Sequence, residues 1–117
     1  MTEMIEDTIF TKIINGDVDA EKLYEDEFCI CIRDIAPQAP THLLVIPRKP
    51  IPRLADATEA DKALLGHLML SVGEITRQVG VDEAFRVIIN NGANAGQTVF
   101  HLHLHILAGA TFKERIL

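Results

Sequence analysis

The alternating run at residues 101–105, His-Leu-His-Leu-His, restricts the fold of this chain more than any other feature. Side chains alternate between the two faces of a β-strand, so the run predicts a strand with three imidazoles on one face. The two leucines and Ile106 then point the other way, toward a core. Imidazole changes charge near neutral pH and can act as nucleophile, acid, base or ligand, which makes the histidine face the candidate site.

The composition indicates one modest globular domain. The chain has 117 residues, of which 48% are apolar, so we expect one core that folds without a metal or a disulfide. The net charge of −6 argues against DNA or RNA as a partner, because proteins that bind the phosphate backbone carry a basic patch. A small phosphorylated ligand remains possible, since backbone N–H groups and histidines can hold a phosphate locally.

Cysteine usage and the first residues predict a cytoplasmic protein with no membrane partner. Residues 1–7 are acidic and lack an apolar run, so we expect no signal peptide, and no stretch is long and apolar enough to span a bilayer. Cys29 and Cys31 alternate with apolar residues, which indicates buried, reduced thiols. Their spacing is neither Cys-x-x-Cys nor that of a zinc finger, which disfavours a redox or metal role.

Local patterns predict a short helix, a long helix and five strands. Asp7 or Thr8 caps the short helix, which runs through Ile14. The long helix runs over residues 58–79, with apolar residues at helical spacing, and Gly80 ends it. Strands are predicted at residues 22–27, 28–33, 41–46, 85–89 and 99–107. This order predicts the α+β class, with a mainly antiparallel five-stranded sheet.

A polar, glycine-containing loop at residues 90–98 precedes the histidine run. Its residues tolerate unusual backbone angles and are expected to leave N–H groups free, so a phosphate beside the histidines would meet donors. Asn90 ends an apolar strand, where its amide must find a partner. His42 lies on another predicted strand and could approach the three histidines across the sheet.

Residues 96–107, Gly-Gln-Thr-Val-Phe-His-Leu-His-Leu-His-Ile-Leu, closely resemble the signature of the histidine triad (HIT) superfamily. Residues 7–14, 34–42 and 64–69 look like blocks of its Hint branch, the histidine triad nucleotide-binding proteins. The resemblance implies a single HIT domain over residues 1–117 and a homodimer whose two sheets join. It also implies binding of purine nucleotides such as AMP or GMP, and hydrolysis of the P–N bond of purine nucleoside 5′-phosphoramidates.

The same resemblance implies the catalytic roles. His103 is the nucleophile, which forms a covalent nucleotidyl-histidine that water opens. His105 contacts the phosphate and the bridging atom and helps the amine leave. His101 and His42 orient His103 and fix its tautomer, and Thr98 bonds the phosphate or the leaving group.

The implied nucleotide pocket comes from several segments. Asn90 bonds the phosphate, Gly96 and Gln97 supply loop contacts, and Asp34 holds the ribose hydroxyls with Ile35 beside it. The base pocket is apolar and is lined by Ile9, Phe10, Ile13, Ile32 and Leu44. No cofactor is required. Zinc between strand histidines is an alternative but is not expected to be catalytic, because we expect no acidic partner near the three histidines.

Other functions stay open. The same signature fits a dinucleoside polyphosphate hydrolase, although the Ala108-Gly109 that follows it looks more like the Hint ending. A nucleotide-sensing module with incidental turnover and a zinc-storage protein are further alternatives. Outside the candidate site, Asp26 and its acidic neighbours are interpreted as solvated charge, and His67 as a structural or surface histidine.

Overall fold

The computed structural model describes residues 7–114. They form two α-helices and five strands, which are α1 (Ile9–Ile14), β1 (Tyr24–Glu25), β2 (Cys29–Arg33), β3 (Thr41–Pro47), α2 (Lys62–Val79), β4 (Phe85–Ile88) and β5 (Leu104–Ala108). The strands make one sheet in the order β1-β2-β3-β5-β4, and every neighbouring pair is antiparallel. The predicted five-stranded antiparallel sheet with one long and one short helix is therefore confirmed.

The two helices cover opposite faces of the sheet. Alternate residues of β2 and β3 belong to two separate apolar clusters, as the period of two requires. Leu68, Val72 and Ile75 of α2 pack in one cluster, together with both cysteines. Phe10 and Ile13 of α1 pack in the other. Both thiols are fully buried on the α2 side of the sheet, which confirms the prediction that they are buried.

Both helix starts use the side chains that the sequence indicated. Thr8 is the N-cap of α1, and its hydroxyl accepts hydrogen bonds from the amides of Phe10 and Thr11. Thr58 donates its amide to the Asp61 carboxylate at 2.9 Å in a capping box. The first turn after Thr58 is a 3₁₀ turn, and α2 itself begins at residue 62. Among residues 7–114, no helix is long and apolar enough to cross a membrane.

Strand β1 is shorter than predicted because Asp26 ends it. One carboxylate oxygen of Asp26 accepts from the amides of Phe28 and Cys29, which forces a turn. The other oxygen accepts from Tyr24 and lies 2.7 Å from Nε2 of His67. Burial opposes ionisation, but these hydrogen bonds together hold the pKa of Asp26 well below its ordinary value. The interpretation of Asp26 as solvated charge was wrong, whereas a structural His67 fits.

Strand β5 begins at residue 104 rather than at residue 99. The amide of Leu102 donates to the Ile51 carbonyl, and the His101 carbonyl is taken by a histidine ring, so these groups do not join the ladder. The pairing of β3 with β5 starts only at Val45 and Leu104. Leu102, Leu104 and the following isoleucine still pack in the α2-side cluster, so the predicted alternation of the two faces is confirmed.

Candidate active site

Four histidines meet on the α1 side of the sheet. His42 lies on β3 and His105 on the neighbouring β5, with ring centroids 5.2 Å apart. His103 precedes β5, and its ring lies 5.0 Å from that of His105. The Phe10 ring of α1 packs edge-on against the rings of both His103 and His101, with ring centroids 5.0 Å and 6.2 Å apart. The fold thus brings together all four histidines that the sequence singled out.

The main chain fixes the tautomer of His103. Nδ1 of His103 lies 2.7 Å from the His101 carbonyl oxygen, which can only accept, so Nδ1 carries the proton. Nε2 therefore presents a lone pair. The side chain is buried, and burial lowers the pKa of His103, which favours the neutral ring. A neutral imidazole with a free Nε2 is the form that can attack phosphorus.

A second chain of hydrogen bonds fixes the tautomer of His105. The amide of Gln38 donates to Nδ1 of His42 at 3.0 Å, which places the His42 proton on Nε2. That Nε2–H donates to Nδ1 of His105 at 2.9 Å, so the neutral His105 ring carries its proton on Nε2. Burial, followed by the neighbouring His103 and His42, lowers the pKa of His105 to about 4. The site therefore holds a lone pair on one ring and a proton donor on the next.

Two expected roles need correction. His42 was expected to orient His103, but its partner is His105. His101 acts on His103 through its backbone carbonyl and not through its ring. The His101 ring donates from Nε2 to the Pro47 carbonyl at 2.7 Å. Its Nδ1 is buried and has no hydrogen-bond partner within residues 7–114.

Asp34 lies against the His42–His105 pair. One carboxylate oxygen, Oδ2, is 3.4 Å from Nε2 of His42 and 4.0 Å from Nδ1 of His105. The expectation that no acidic residue lies near the histidines was therefore wrong. The signal was available in the sequence, because a turn between two antiparallel strands brings residues 34 and 42 opposite each other. The amide of Asp34 indeed donates to the His42 carbonyl.

Ligand atoms of Asp34, His42 and His105 lie within 4.8 Å of one another, as metal ligands would. The hydrogen bonds do not suit an ion. Metal-bound imidazole normally donates its second N–H to an acceptor, whereas Nδ1 of His42 faces the donating amide of Gln38. The proton on Nε2 of His42 then occupies the position that the ion would need.

Asp26, Cys29 and His67 form a second such group on the α2 side. The two carboxylate oxygens of Asp26 are already engaged by two backbone amides, the Tyr24 hydroxyl and His67. Burial raises the pKa of the Cys29 thiol to about 11, although a metal binds the thiolate. These three residues therefore have a structural role, in which Asp26 holds the turn that ends β1 and contacts His67 of α2.

The loop before the histidines is held by the side chain of Gln97, which is 3% exposed. The side-chain oxygen Oε1 of Gln97 accepts from the Gly92 amide at 2.8 Å. The side-chain nitrogen Nε2 donates to the main-chain carbonyls of Pro52 and Val99. The amides of residues 95–97 donate to carbonyls within the same loop. The expectation of free N–H groups was therefore wrong for residues 92 and 95–97, and the Gln97 side chain holds the loop from its buried side.

The other loop residues lie at the two ends of this turn. Thr98 is exposed, and Asn90 is half-buried. Gly96 has a φ of 95°, and a Cβ there would meet the Asn90 side chain at 3.8 Å. Phosphate contacts by Asn90, Gly96 and Thr98 stay predictions.

The residues expected around the base fall into two groups. Phe10, Ile13, Ile32 and Leu44 form one cluster beneath the histidines, and each is 6% exposed. Ile9 is 45% exposed, and Ile35, next to Asp34, is fully exposed. Ile9 and Ile35 therefore have apolar surface open to a ligand, while the buried cluster packs beneath the histidines. Contact of any of these residues with a base stays a prediction.

The sheet, the two helices and the clustered histidines define an α+β domain built for imidazole chemistry. The chain belongs to the HIT domain family, whose sequence profile matches residues 15–112. An uncharacterized HIT-like protein of Synechocystis is 55% identical over 109 residues, which cover 93% of this chain and 96% of that protein.

Solved structures agree with this membership. A HIT family hydrolase from Clostridium thermocellum is 36% identical, with a TM-score of 0.92, and the match covers 97% of this chain and 100% of that one. A HIT family hydrolase from Legionella pneumophila is also 36% identical, with a TM-score of 0.89 and coverage of 92% and 97%. The chain is thus similar in sequence and fold to hydrolases of this family.

Proposed function

We propose that this protein hydrolyses the P–N bond of purine nucleoside 5′-phosphoramidates, giving a nucleoside monophosphate and an amine. The observation that carries the proposal is the pair of opposite tautomers on adjacent rings. Nε2 of His103 has a free lone pair, and Nε2 of His105 has a proton, with the ring centroids 5.0 Å apart. A nucleophile beside a proton donor is what displacement of an amine from phosphorus requires.

The reaction then runs in two steps. Nε2 of His103 attacks phosphorus, the P–N bond to the amine breaks, and protonated His105 gives its Nε2 proton to the leaving nitrogen. A bound phosphate anion favours the charged form of an imidazole within hydrogen-bond reach, which supplies that protonated state. The second proton of His105 takes its Nδ1, and the Nε2–H of His42 then donates to Oδ2 of Asp34, 3.4 Å away. Water next attacks phosphorus and returns a proton to His105, while the bond to His103 breaks. The products are the monophosphate and the amine, and both rings regain their starting state.

Other parts of the proposal follow from the resemblance. Asp34 binds the ribose hydroxyls, the exposed Ile9 and Ile35 contact the base, and two copies join their sheets into a homodimer. No metal or other cofactor takes part, because two imidazoles supply both the nucleophile and the proton.

The test compares steady-state hydrolysis of adenosine 5′-phosphoramidate and of a diadenosine polyphosphate, with EDTA present. We expect the phosphoramidate to be preferred, and we expect His103→Ala to abolish its turnover. His67→Ala, a histidine outside the site, is the matched control and should retain activity. Preference for the dinucleotide, or unchanged turnover by His103→Ala, would refute the proposal. Activity that is lost with EDTA and restored by zinc would refute the metal-free mechanism.

A further inference from the structure

We propose that Asp34, besides any contact with ribose, is a positioning residue for proton delivery. Its carboxylate lets the His42–His105 pair take up and hold the proton that the leaving amine receives. This inference rests on the proposed function, because it concerns the step in which the P–N bond breaks.

The first support is the position of the charge. Nε2 of His42 and Nδ1 of His105 share one hydrogen bond of 2.9 Å, and Oδ2 of Asp34 lies 3.4 Å and 4.0 Å from these two atoms. The His42 side chain is 4% exposed and that of Asp34 18% exposed, so water screens the attraction only in part. An added proton on the pair would therefore lie within direct reach of an anion.

The second support is that the carboxylate is held in place. The other oxygen of Asp34, Oδ1, accepts from the Ala36 amide at 2.8 Å. The Asp34 amide donates to the His42 carbonyl at 3.0 Å. The turn thus anchors one oxygen and leaves the second directed at the histidines. An aspartate that served only an exposed ribose would not need this contact with a buried ring.

The third support is the balance of groups around His105. Burial, His103 and His42 all oppose protonation of this ring. Phe10 of α1 and the buried residues of β2 that pack on this face are apolar and add no charge. Among the groups of residues 7–114 that act on the pKa of His105, Asp34 alone favours the charged form.

The consequence depends on the leaving group. A strongly basic alkylamine leaves phosphorus only with a proton, whereas an arylamine with electron-withdrawing groups leaves with little help. Asp34→Asn keeps the size of the side chain and the acceptor for the Ala36 amide, but removes the charge. We expect kcat for an adenosine alkylphosphoramidate to fall about ten- to a hundredfold more than kcat for a matched nitroaryl phosphoramidate.

The experiment measures kcat and KM of both substrates, and the Kd of AMP, for the wild-type protein and for Asp34→Asn. A role limited to ribose would raise KM and Kd alike and would leave the ratio of the two kcat values unchanged, which would overturn the inference. The pH profile gives a second readout. Since the donor must be protonated, activity on the alkylamide falls as pH rises, and this limb should move to lower pH in Asp34→Asn. An unmoved limb would also overturn it.

The two proposals fail in different ways. If the wild-type protein cleaves neither substrate, the proposed function fails. If it cleaves both and Asp34→Asn slows both equally, the proposed function stands and only the role of Asp34 in proton delivery is refuted.

Discussion

The side chain of Gln97 offers the sharpest test of how the loop beside the site is built. It makes three hydrogen bonds in a buried position, with the Gly92 amide and the carbonyls of Pro52 and Val99. Gln97→Ala leaves all three main-chain groups without their partner. At about 1 kcal/mol for each hydrogen bond, the free energy of unfolding should fall by about 3 kcal/mol.

Chemical and thermal unfolding give the measurement. For a chain of 117 residues, 1 kcal/mol corresponds to about 4 °C in Tm, so we expect a decrease of about 12 °C. The matched control is Gln78→Ala, since Gln78 lies on the exposed side of α2 and its side chain bonds, among residues 7–114, only to Glu74. This control should change stability by less than about 0.5 kcal/mol.

A second variant separates hydrogen bonding from packing. Gln97→Glu keeps the shape of the side chain and the acceptor for Gly92, but it loses both donors and places a carboxylate against two carbonyls. We expect it to be destabilised by at least as much as Gln97→Ala. If Gln97→Ala loses less than about 1 kcal/mol, the loop is not held by this side chain and the reasoning fails.

Two further predictions concern titration. Folded His105 has a pKa of about 4 against an ordinary 6.5, so below pH 6.5 the unfolded chain takes up a proton that the folded protein refuses. Its contribution to the free energy of unfolding is therefore present above pH 6.5 and is lost toward pH 4, by up to about 3 kcal/mol. In denaturant unfolding at a series of pH values, His105→Asn should lose less stability than the wild-type protein between pH 6.5 and pH 4. An equal loss in the two proteins would contradict this prediction. Burial raises the thiol pKa of Cys29 to about 11 and of Cys31 to about 12, so iodoacetamide should label the native protein at least about 100-fold more slowly than the denatured one. Rapid labelling of the native protein would show that the thiols are accessible.

Patterns that depend on period were readable from the sequence. The apolar residues of α2 recur at helical spacing, and Gly80 adopts the left-handed conformation that ends a helix, so this helix was predicted with its end. The alternation of histidine and leucine assigned the two faces correctly, since it needs only an extended chain and not a regular strand. Both patterns are local, because the spacing of apolar residues marks the buried face of a helix or strand and the glycine marks the end of the helix.

Features that depend on main-chain hydrogen bonds were not readable. Whether β5 starts at residue 99 or 104 depends on the Ile51 carbonyl, which lies 51 residues before Leu102 and accepts its amide proton. The partner of His42 depends on strand register, which pairs His105 with Leu44 and so places it diagonally across from His42. The loop amides were expected to be free because the glycines suggested an open loop, but those of residues 92 and 95–97 donate to the Gln97 side chain or to carbonyls of the loop itself.

The proton positions on both reactive rings are specified by main-chain groups, which every substitution except proline leaves in place. The carbonyl of residue 101 and the amide of residue 38 set the proton positions, and replacing either side chain leaves those groups in the chain. Alanine scanning at these two positions will therefore miss their contribution, and proline at position 38, which deletes the amide, is the informative substitution. A designer who moves this site to another scaffold must transplant the course of two backbone segments, because the four histidines alone do not carry the information.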